Sequence, residues 1–461
     1  MNVEYRIESD TLGEVKVPKS ALWGPQTERS RHNFPTGPLM SVEVIRALIT
    51  IKKAAAKVNQ QQGELTAAKS ELIEQAADEL LQKDDDALMA DFPLHVYQTG
   101  SGTQTNMNVN EVLSHLAQQL DAEVEIRPND EVNHSQSSND TFPTAMNMAA
   151  YQVVQKLEPE LEKLIAALDQ VAAANWDVVK IGRTHLQDAT PITFGQEVSG
   201  WSSTLKHDLA LIKSVSQSLL ELPIGGTAVG TGLNTTATFD QEMVATLGTV
   251  NQVQYQVGNK FYGMAAHTAL TATHGVIRTL ASDLLKISND IRFLASGPRS
   301  GYGEINIPAN EPGSSIMPGK VNPTQAEAMT MAATKIMGND TTIEMANSQG
   351  NFEMNVYKPV IIATFIESVE LLTGLLPNYT EKMVAGITVN QKRMQQLVDE
   401  SLMTVTALSP HIGYHEAATI AQKAMQKHLN LKDAALQSGL VSEADFAKWV
   451  NPLKLTNNDR K

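Results

Sequence analysis

The stretch LEPELEKLIAALDQV, residues 157–171, sets the architecture of the chain. Its large apolar side chains recur at alternating spacings of four and three residues, at Leu157, Leu161, Leu164, Leu168 and Val171. Positions three and four apart lie on one face of an α-helix, so this stretch predicts a helix with one continuous apolar side. A side of this kind is buried against other helices.

Two further stretches repeat this pattern, residues 198–219 and 277–294, and helical segments are predicted at 323–347 and 358–375. Helices of about 25 to 35 residues exceed the average of about 11 to 12 and usually pack side by side, within a subunit or between subunits. We therefore expect a mainly α protein built on a central bundle of long helices. Residues 1–35 differ, because short alternating runs between turn residues predict a small β-hairpin region rather than helix.

The composition excludes several classes of protein. The 461 residues include 36 basic and 51 acidic side chains, giving a formal charge of −15, and no cluster of Lys or Arg, so we expect no nucleic acid partner. The absence of cysteine excludes disulfides, thiol nucleophiles and thiolate metal sites. No export signal and no run of about 18 uncharged apolar residues is found, so we expect a cytoplasmic protein without a membrane span.

Metal binding is not expected either, because the 11 histidines are scattered and form no HExxH pair. His267 and His274 share one face of an apolar helix and are interpreted as satisfied core residues. The acidic run from Asp84 to Asp86 predicts a solvated helix start.

Five polar segments interrupt the helical pattern, and all are rich in Ser, Thr, Asn and Gly. They span residues 98–110, 127–144, 182–191, 223–234 and 297–323. The last exceeds the roughly two to eight residues that a helix connection needs, which favours a functional role. Within 223–234, GGTAVGTG follows a helix and lacks the GK[ST] ending of a phosphate loop, so it favours a tight connection over nucleotide binding.

Two of the segments, GSGTQ (100–104) and SQSSND (135–140), combine hydroxyl groups and backbone N–H groups as binding sites for small carboxylates do. Residues 137–140 can instead cap the following helix, and both interpretations hold together because a helix N-terminus attracts anions. His185, in the polar segment GRTHLQD, is a candidate general acid or base, with a structural role as the alternative. Glu327 is predicted on the first turn of the next helix, where it can orient a histidine that reaches it from elsewhere.

The longest polar segment ends in GSSIMPGKVNP, residues 313–323, which we call the signature loop. It resembles the signature of the fumarase/aspartase superfamily, which includes argininosuccinate and adenylosuccinate lyases, and the resemblance runs from ALWGPQTERSRHNF into the C-terminal region. Within the superfamily the chain is most similar to class II fumarases. His185 stands where aspartases have Gln, and KVNPTQAE follows the fumarase form. The resemblance implies reversible hydration of fumarate to L-malate, with an aspartate ammonia-lyase or a non-catalytic structural relative as alternatives.

The resemblance also implies a role for individual residues. Ser314 is the base that removes a proton from C3 of malate, His185 is the acid for the departing hydroxyl group, and Glu327 holds and charges His185. The residues implied to bind the two substrate carboxylates are Ser101, Gly102, Thr103, Ser137, Ser138, Asn139, Thr184, Ser315, Lys320 and Asn322. A second dicarboxylate site is a further hypothesis, because many fumarases have HPND where this chain has RPND; its residues are Arg127, Asn129 and Asp130.

A serine base requires N–H dipoles and a cation to stabilise its alkoxide, and the signature loop contains both exposed N–H groups and Lys320. The loop is also expected to close over substrate as a lid. The resemblance implies no metal and no organic cofactor, and it implies a homotetramer in which loops of three subunits build each active site around a small dicarboxylate. The implied domains are an N-terminal mixed domain (1–136), a central long-helix bundle domain (137–391) and a small C-terminal helical domain (392–461).

Overall fold

The computed structural model of the chain describes residues 4–459 and is mainly helical, as predicted. The predicted stripes lie on long helices, and further long helices occupy the segments predicted near 323 and 358. The five longest are α6 (Ser138–Ala174), α7 (Phe194–Val215), α10 (Thr268–Leu294), α11 (Thr324–Ser348) and α12 (Lys358–Lys382).

The remaining helices are shorter: α1 (Pro25–Asn33), α2 (Val42–Gln61), α3 (Ala67–Gln82), α4 (Asp85–Met89), α5 (Thr103–Leu120), α8 (Phe239–Asn251), α9 (Lys260–Ala265), α13 (Gln391–Glu400), α14 (Ser409–Ile412), α15 (Tyr414–Lys427), α16 (Leu431–Gln437), α17 (Glu443–Trp449) and α18 (Pro452–Leu455). The strands are β1 (Tyr5–Asp10), β2 (Gly13–Pro18), β3 (Val179–Thr184), β4 (Gln187–Thr193), β5 (Glu221–Leu222), β6 (Gln256–Val257), β7 (Ile305–Asn306) and β8 (Thr388–Val389). They pair in four two-stranded sheets, β1 with β2, β3 with β4, β5 with β6 and β7 with β8.

The apolar stripes are buried, which confirms that they face the core. Leu157 and Leu161 are fully buried, and Leu164 and Leu168 are 1% exposed. Burying one such side chain contributes about 1.5–3 kcal/mol, so the stripe of α6 alone stabilises its helix more than intrinsic helix propensity does.

The described residues divide into two compact units. The first comprises residues 4–157, 211–279 and 335–372. Within it, α2, α3 and α5 pack together and α8 packs against α2. Asp84 caps α4 by accepting a hydrogen bond from the N–H of Ala87, as the acidic run predicted.

The second unit comprises residues 158–210, 280–334 and 373–459. The β3–β4 hairpin contacts α13 in this unit, and helices near the C-terminus enclose a small core of their own. The core residues are Leu408, Ala417, Ile420, Ala424, Leu431, Ala434, Ala435 and Val441. The three predicted domain ranges remain a prediction.

Three local expectations were wrong. The predicted hairpin is present as β1 and β2, but α1 follows within residues 1–35, because Pro25 is pre-set for a first helical turn. Much of 98–110 is helical, since α5 begins at Thr103. Segment 127–144 is also helical in part, since α6 begins at Ser138, whereas segment 182–191 interrupts the helical pattern, as predicted, within the β3–β4 hairpin.

One helical segment, Lys358–Gly386, is long and apolar enough to cross a bilayer by length and composition alone, with a mean hydropathy of 1.7 in its most apolar window. The sequence criterion missed it because Glu367 and Glu370 interrupt any uncharged run. Half of that window is buried within the chain. Core helices of soluble proteins pass the same test, and residues such as Phe365 and Leu372 of this helix are fully buried.

Candidate active site

Three of the predicted carboxylate-binding residues form a continuous row of hydroxyl groups in the first unit. The Oγ of Ser101 lies 2.7 Å from Oγ1 of Thr103, which lies 2.7 Å from Oγ of Ser138. We call these three residues the hydroxyl row. It joins the N-termini of α5 and α6, helices of 18 and 37 residues. Helix N-termini carry partial positive charge, so the row is suited to an anion.

Gly102 gives the row its shape. This residue is the N-cap of α5 with φ of +79°, and a Cβ there would lie 2.3 Å from the ring of Phe142. Both observations restrict the position to glycine. Next to it, Oε1 of Gln98 accepts a hydrogen bond of 3.0 Å from the N–H of Thr105, which ties down the first turn of α5.

The start of α6 is capped as predicted, and the cap reaches the glycine-rich segment. The N–H of Asn139 donates to Oγ of Ser137 (3.2 Å), and the N–H of Ser137 donates to Oδ1 of Asp140 (2.9 Å). Oδ2 of Asp140 accepts from the N–H groups of Gly225 (2.9 Å) and Thr227 (3.0 Å). The glycine-rich segment is therefore a tight connection held against α6, as predicted, rather than a phosphate loop.

Two buried charges near the row were missed by sequence reasoning. Asp140 is fully buried, and burial raises its pKa to about 6 despite its backbone hydrogen bonds. Lys52 is also fully buried, and its ammonium donates to Oδ1 of Asn133 and Oε1 of Gln136, both at 2.9 Å. Burial lowers the pKa of Lys52 to about 7, although the Asp140 charge opposes this shift. Nothing in the local sequence marks these two residues as buried.

His185 and Leu186 form the two-residue turn of the β3–β4 hairpin in the second unit. Their φ angles are +57° and +59°, and Thr184 pairs with Gln187 across the turn. Non-glycine residues in this left-handed region cost roughly 1–2 kcal/mol each, and hairpin turns of this type prefer Asn-Gly. Such strain concentrates at functional sites. The turn leaves Thr184 and His185 exposed.

A buried charge cluster holds the base of this hairpin. Nη1 of Arg183 lies 2.8 Å from Oε2 of Glu304, and its guanidinium lies 4.5 Å from the ring centroid of Tyr302. Nζ of Lys180 lies 3.0 Å from Oε2 of Glu197, whose pKa is raised by burial even though Lys180 lowers it. Sequence reasoning missed this cluster, because Arg183 and Glu304 are 121 residues apart.

The signature loop is closed by its own polar groups. The N–H of Gly313 donates to the carbonyl of Lys320 at 3.0 Å, and Nδ2 of Asn322 donates to the carbonyl of Gly313 at 2.6 Å. Inside this closure, Oγ of Ser314 accepts hydrogen bonds from the N–H groups of Ile316 (3.2 Å) and Met317 (3.1 Å). Two N–H dipoles therefore converge on the hydroxyl oxygen, which stabilises negative charge there.

The surroundings of the loop are open. Ser315 and Lys320 are exposed, and Ser314 is partly exposed. A cavity of 500 Å³ borders the loop and is lined by Lys320 and Asn322, and by Arg292 from α10. The predicted base, a lysine and an amide thus lie in one segment beside open space.

Glu327 lies on the first turn of α11, as predicted, with its N–H bonded to the carbonyl of Pro323 at 3.0 Å. Within residues 4–459, no hydrogen bond or ion pair joins the side chains of Glu327 and His185. The same holds between His185 and Ser314 across the described part of the chain. A single chain therefore does not bring the predicted acid into contact with the predicted base.

The hypothetical second dicarboxylate site carries charges of both signs. Nη2 of Arg127 lies 2.7 Å from Oε1 of Glu125, and its Nη1 lies 3.6 Å from Oδ2 of Asp130. Arg127 and Asn129 line a cavity of 360 Å³ together with the carboxylate residues Glu8 and Asp10. The site remains a hypothesis.

The two histidines predicted on one helical face differ, because His274 lies on α10 whereas His267 precedes its first residue, Thr268. Nδ1 of His274 lies 2.7 Å from Oδ1 of Asp340, so His274 has the partner that was expected. His267 is 4% exposed, and among residues 4–459 Nε2 of both rings is buried without a hydrogen-bond partner, so the expectation of satisfied residues holds only for Nδ1 of His274. Burial, together with a smaller effect of the Lys358 charge, lowers the pKa of His267 to about 3, so the ring is neutral. Among residues 4–459 no group of three or more His, Asp or Glu is placed to hold a metal ion.

Two protein-family models match parts of this chain. Residues 13–338 match the family described as Lyase, and residues 405–457 match the family described as Fumarase C C-terminus. Fumarate hydratase class II of Listeria monocytogenes is 53% identical over 98% of this chain and 99% of its own length. The corresponding protein of Halalkalibacterium halodurans is 52% identical with the same coverage. The crystal structure of class II fumarase from Schistosoma mansoni superposes with a TM-score of 0.95, at 40% identity over 98% of this chain and 99% of that one.

Proposed function

The chain belongs to the class II fumarate hydratases, and we propose that Ser314 is the base and His185 the acid with which it interconverts fumarate and L-malate. Fumarate hydration rests on the identity of about half of all residues to the curated relatives over nearly the whole chain. An aspartate ammonia-lyase is not favoured by these relatives.

The observation that carries the assignment of Ser314 is the pair of hydrogen bonds that its Oγ accepts from the N–H groups of Ile316 and Met317. A free serine hydroxyl is a very weak base, and two converging dipoles favour its ionised form. Lys320 contributes a positive charge from the same loop. The alkoxide removes the proton from C3 of malate, and the electrons of the C–H bond pass to the adjacent carboxylate.

The acid step is assigned to His185 because its ring lies on an exposed, strained turn. The ion pair between Arg183 and Glu304 holds the base of this hairpin in place. The imidazolium gives its proton to the hydroxyl group that leaves C2 as water. Glu327 stabilises the imidazolium and fixes its orientation. In the reverse direction the neutral ring activates water for attack on fumarate.

The remaining predicted residues bind the two carboxylates. Proton removal turns the C4 carboxylate of malate into a dianionic aci-carboxylate, and fixed donors aimed at this group provide the largest stabilisation. Lys320 and the N–H groups of the signature loop stabilise this aci-carboxylate. Ser315, Asn322 and Thr184 also bind it. The hydroxyl row, with Gly102, Ser137 and Asn139, binds carboxylate at the paired helix N-termini.

We extend the proposal to the assembly: a cytoplasmic homotetramer of the tricarboxylic acid cycle, with each site built from loops of three subunits. It is supported by the lack of any hydrogen bond or ion pair from His185 to Glu327 or Ser314 among residues 4–459, since the mechanism requires these groups to meet. The proposal includes a second dicarboxylate site formed by Arg127, Asn129 and Asp130.

One assay tests this function. Purified protein treated with EDTA is mixed with L-malate or with L-aspartate, and the ultraviolet absorbance of fumarate is followed. We expect absorbance to rise with L-malate alone, without added metal. Fumarate from L-aspartate alone would contradict the assignment. Repeating the assay on protein diluted until only monomers remain should abolish turnover, and active monomers would contradict the shared site.

A further inference from the structure

Lys358 is the first residue of α12, and its backbone is bonded next to the hydroxyl row. Its N–H donates to the carbonyl of Gly100 at 3.2 Å, so the start of α12 is bonded to the residue just before Ser101. The approach is close, because a Cβ on Gly100 would lie 1.4 Å from the carbonyl oxygen of Val356. The N-terminus of a third helix therefore meets those of α5 and α6 here.

The side chain of Lys358 is in an unfavourable environment. It is fully buried, and its Nζ has no hydrogen-bond partner among residues 4–459. An ammonium group without an acceptor loses its hydration without compensation. Its position at the start of a 25-residue helix adds repulsion from the positive end of the helix dipole.

Lys52, the other buried lysine of this region, has hydrogen-bond acceptors for its ammonium group. It donates two hydrogen bonds of 2.9 Å, to Asn133 and Gln136. Burial lowers the pKa of both lysines, and the charge of the Asp140 carboxylate opposes this shift. Its two oxygens already accept hydrogen bonds from three backbone N–H groups. The charge and the hydrogen-bonding capacity of Asp140 are therefore shared among many donors.

Asp140 is the carboxylate whose charge acts on Lys358, and it makes no hydrogen bond to it among residues 4–459. Burial lowers the pKa of Lys358 to about 8, the Asp140 carboxylate opposes this shift, and the amine remains largely protonated at neutral pH. His267 is neutral, and its Nε2 also lacks a partner. Two buried lysines therefore share one carboxylate, and one of them, Lys358, has no acceptor among residues 4–459.

We propose that Lys358 contributes to substrate binding at this site: its buried ammonium attracts the carboxylate that the hydroxyl row binds, and the charge of that carboxylate offsets the unpaired charge of Lys358. The inference rests on the proposed function, because it takes a dicarboxylate as the ligand. Hydroxyl groups orient a carboxylate but carry no net charge, whereas the ammonium adds long-range attraction in a buried environment. The unpaired charge of Lys358 destabilises the free protein, and relief of this destabilisation on binding adds to the affinity for the substrate.

The first experiment compares Lys358→Met with Lys52→Met as a matched control. Loss of a charged partner should raise KM for L-malate and for fumarate by about tenfold to a hundredfold in Lys358→Met, with a smaller change in kcat. Removing an unpartnered buried cation should leave the melting temperature unchanged or raise it. Lys52→Met should instead lower the melting temperature, because Oε1 of Gln136 loses its donor and Oδ1 of Asn133 keeps only those from Asn106 and Asn110.

A second experiment uses the absence of cysteine from the chain. Lys358→Cys is unfolded, alkylated with 2-bromoethylamine to restore an ammonium of nearly the original length, and refolded. The control is the same protein alkylated with iodoacetamide, which gives a neutral side chain of similar length. Only the ammonium form should recover a KM near that of the unmodified protein carried through the same cycle. The unmodified protein has no thiol, so its own recovery calibrates refolding.

Succinate binding separates this inference from the proposed function. Succinate should raise the melting temperature of the unmodified protein and raise it much less in Lys358→Met, whether or not malate is turned over. If the unmodified protein binds succinate but makes no fumarate, the function fails and the role of Lys358 stands. An unchanged KM and succinate shift in Lys358→Met would overturn the role of Lys358, as would a loss of stability equal to that of Lys52→Met.

Discussion

The hydroxyl row and the signature loop carry equally polar sequences but differ in how they are held. The row lies at the N-termini of long helices, with Gly102 packed against Phe142 and Ser137 bonded to Asp140. The signature loop is exposed and is closed mainly by contacts within itself, such as that between Asn322 and Gly313.

This difference indicates a division of labour. The row is rigid because tertiary packing fixes it, so it can bind a carboxylate without reorganisation. The signature loop has few buried contacts, so local opening costs little free energy, as is common for segments that cover a substrate. Substitutions in the loop should therefore change turnover without changing stability, whereas substitutions in the row should change both.

Ser314→Ala should have the largest effect, and it should fall on turnover alone. Removing the base is expected to lower kcat by about 10²- to 10⁴-fold. The free energy of unfolding should change by no more than about 0.5 kcal/mol, because the two freed N–H groups lie in an exposed loop and can bind water. The measurements are steady-state kinetics and urea denaturation.

The control for this prediction is Ser300→Ala, which changes an exposed serine of the same Gly/Pro-rich segment. It should leave both kcat and stability unaltered. Near-normal turnover of folded Ser314→Ala would remove the assignment of the base.

Gly102→Ala should change stability and binding together. The positive φ costs roughly 1 kcal/mol or more for alanine, and the overlap with the Phe142 ring adds the cost of overpacking, for a total of about 2–4 kcal/mol. Displacing the ring or the turn also displaces Ser101 and Thr103, so KM should rise. Urea denaturation and kinetics measure the two effects.

Gly63→Ala is the matched control, because Gly63 has the same φ of +79° but nothing within 4 Å of an added Cβ. It should lose only the backbone contribution, about 1 kcal/mol, and keep its KM. Equal destabilisation of the two variants would mean that Phe142 does not hold the row in place.

The sequence was sufficient for the long helices because their signal is local and repeated. Leu157, Leu161 and Leu164 recur on one helical face, and all three are buried. The same reasoning predicted the break in the helical pattern at His185 but not its strands, because polar strand residues at an exposed turn resemble a loop. It also failed at Thr103, because a polar helix start next to glycine has the composition of a loop.

For the candidate site, segments rich in Ser, Thr and Gly pointed to the residues whose types carry the chemistry, such as Ser314 in the signature loop. The supporting residues gave no such signal. Lys358 lies at the start of an apolar helix, and Arg183 meets Glu304 across 121 residues. Their importance depends on burial and on distant partners, which follow from tertiary packing rather than from local pattern.

Asp208→Asn should have the smallest effect. Asp208 lies in neither the hydroxyl row nor the signature loop, so this variant shows whether a change elsewhere affects stability alone. Asp208, on α7, is 4% exposed, and burial together with the charge and hydrogen bond of Asp283 raises its pKa from 3.8 to about 7. A raised pKa stabilises the fold at low pH, and this stabilisation is lost as the pH rises through about 7. Asparagine resembles the protonated form, and in the unfolded parent this carboxyl is ionised above a pKa of about 3.9, so the variant should be more stable than the parent by at least about 1 kcal/mol at pH 8 and equally stable only near pH 3.

Asp169→Asn provides a control of opposite sign. Partial burial opposes ionisation of Asp169, but hydrogen bonds from Lys206 and Ser202 outweigh it and lower its pKa. Its contribution to stability is present above the unfolded pKa and is lost in acid, so Asp169→Asn should lower the melting temperature at pH 8 rather than raise it. Thermal unfolding at both pH values measures the two shifts, and kcat should be unchanged in both variants. A change in kcat without a change in stability would mean that the helices, and not only the exposed segments, take part in the chemistry.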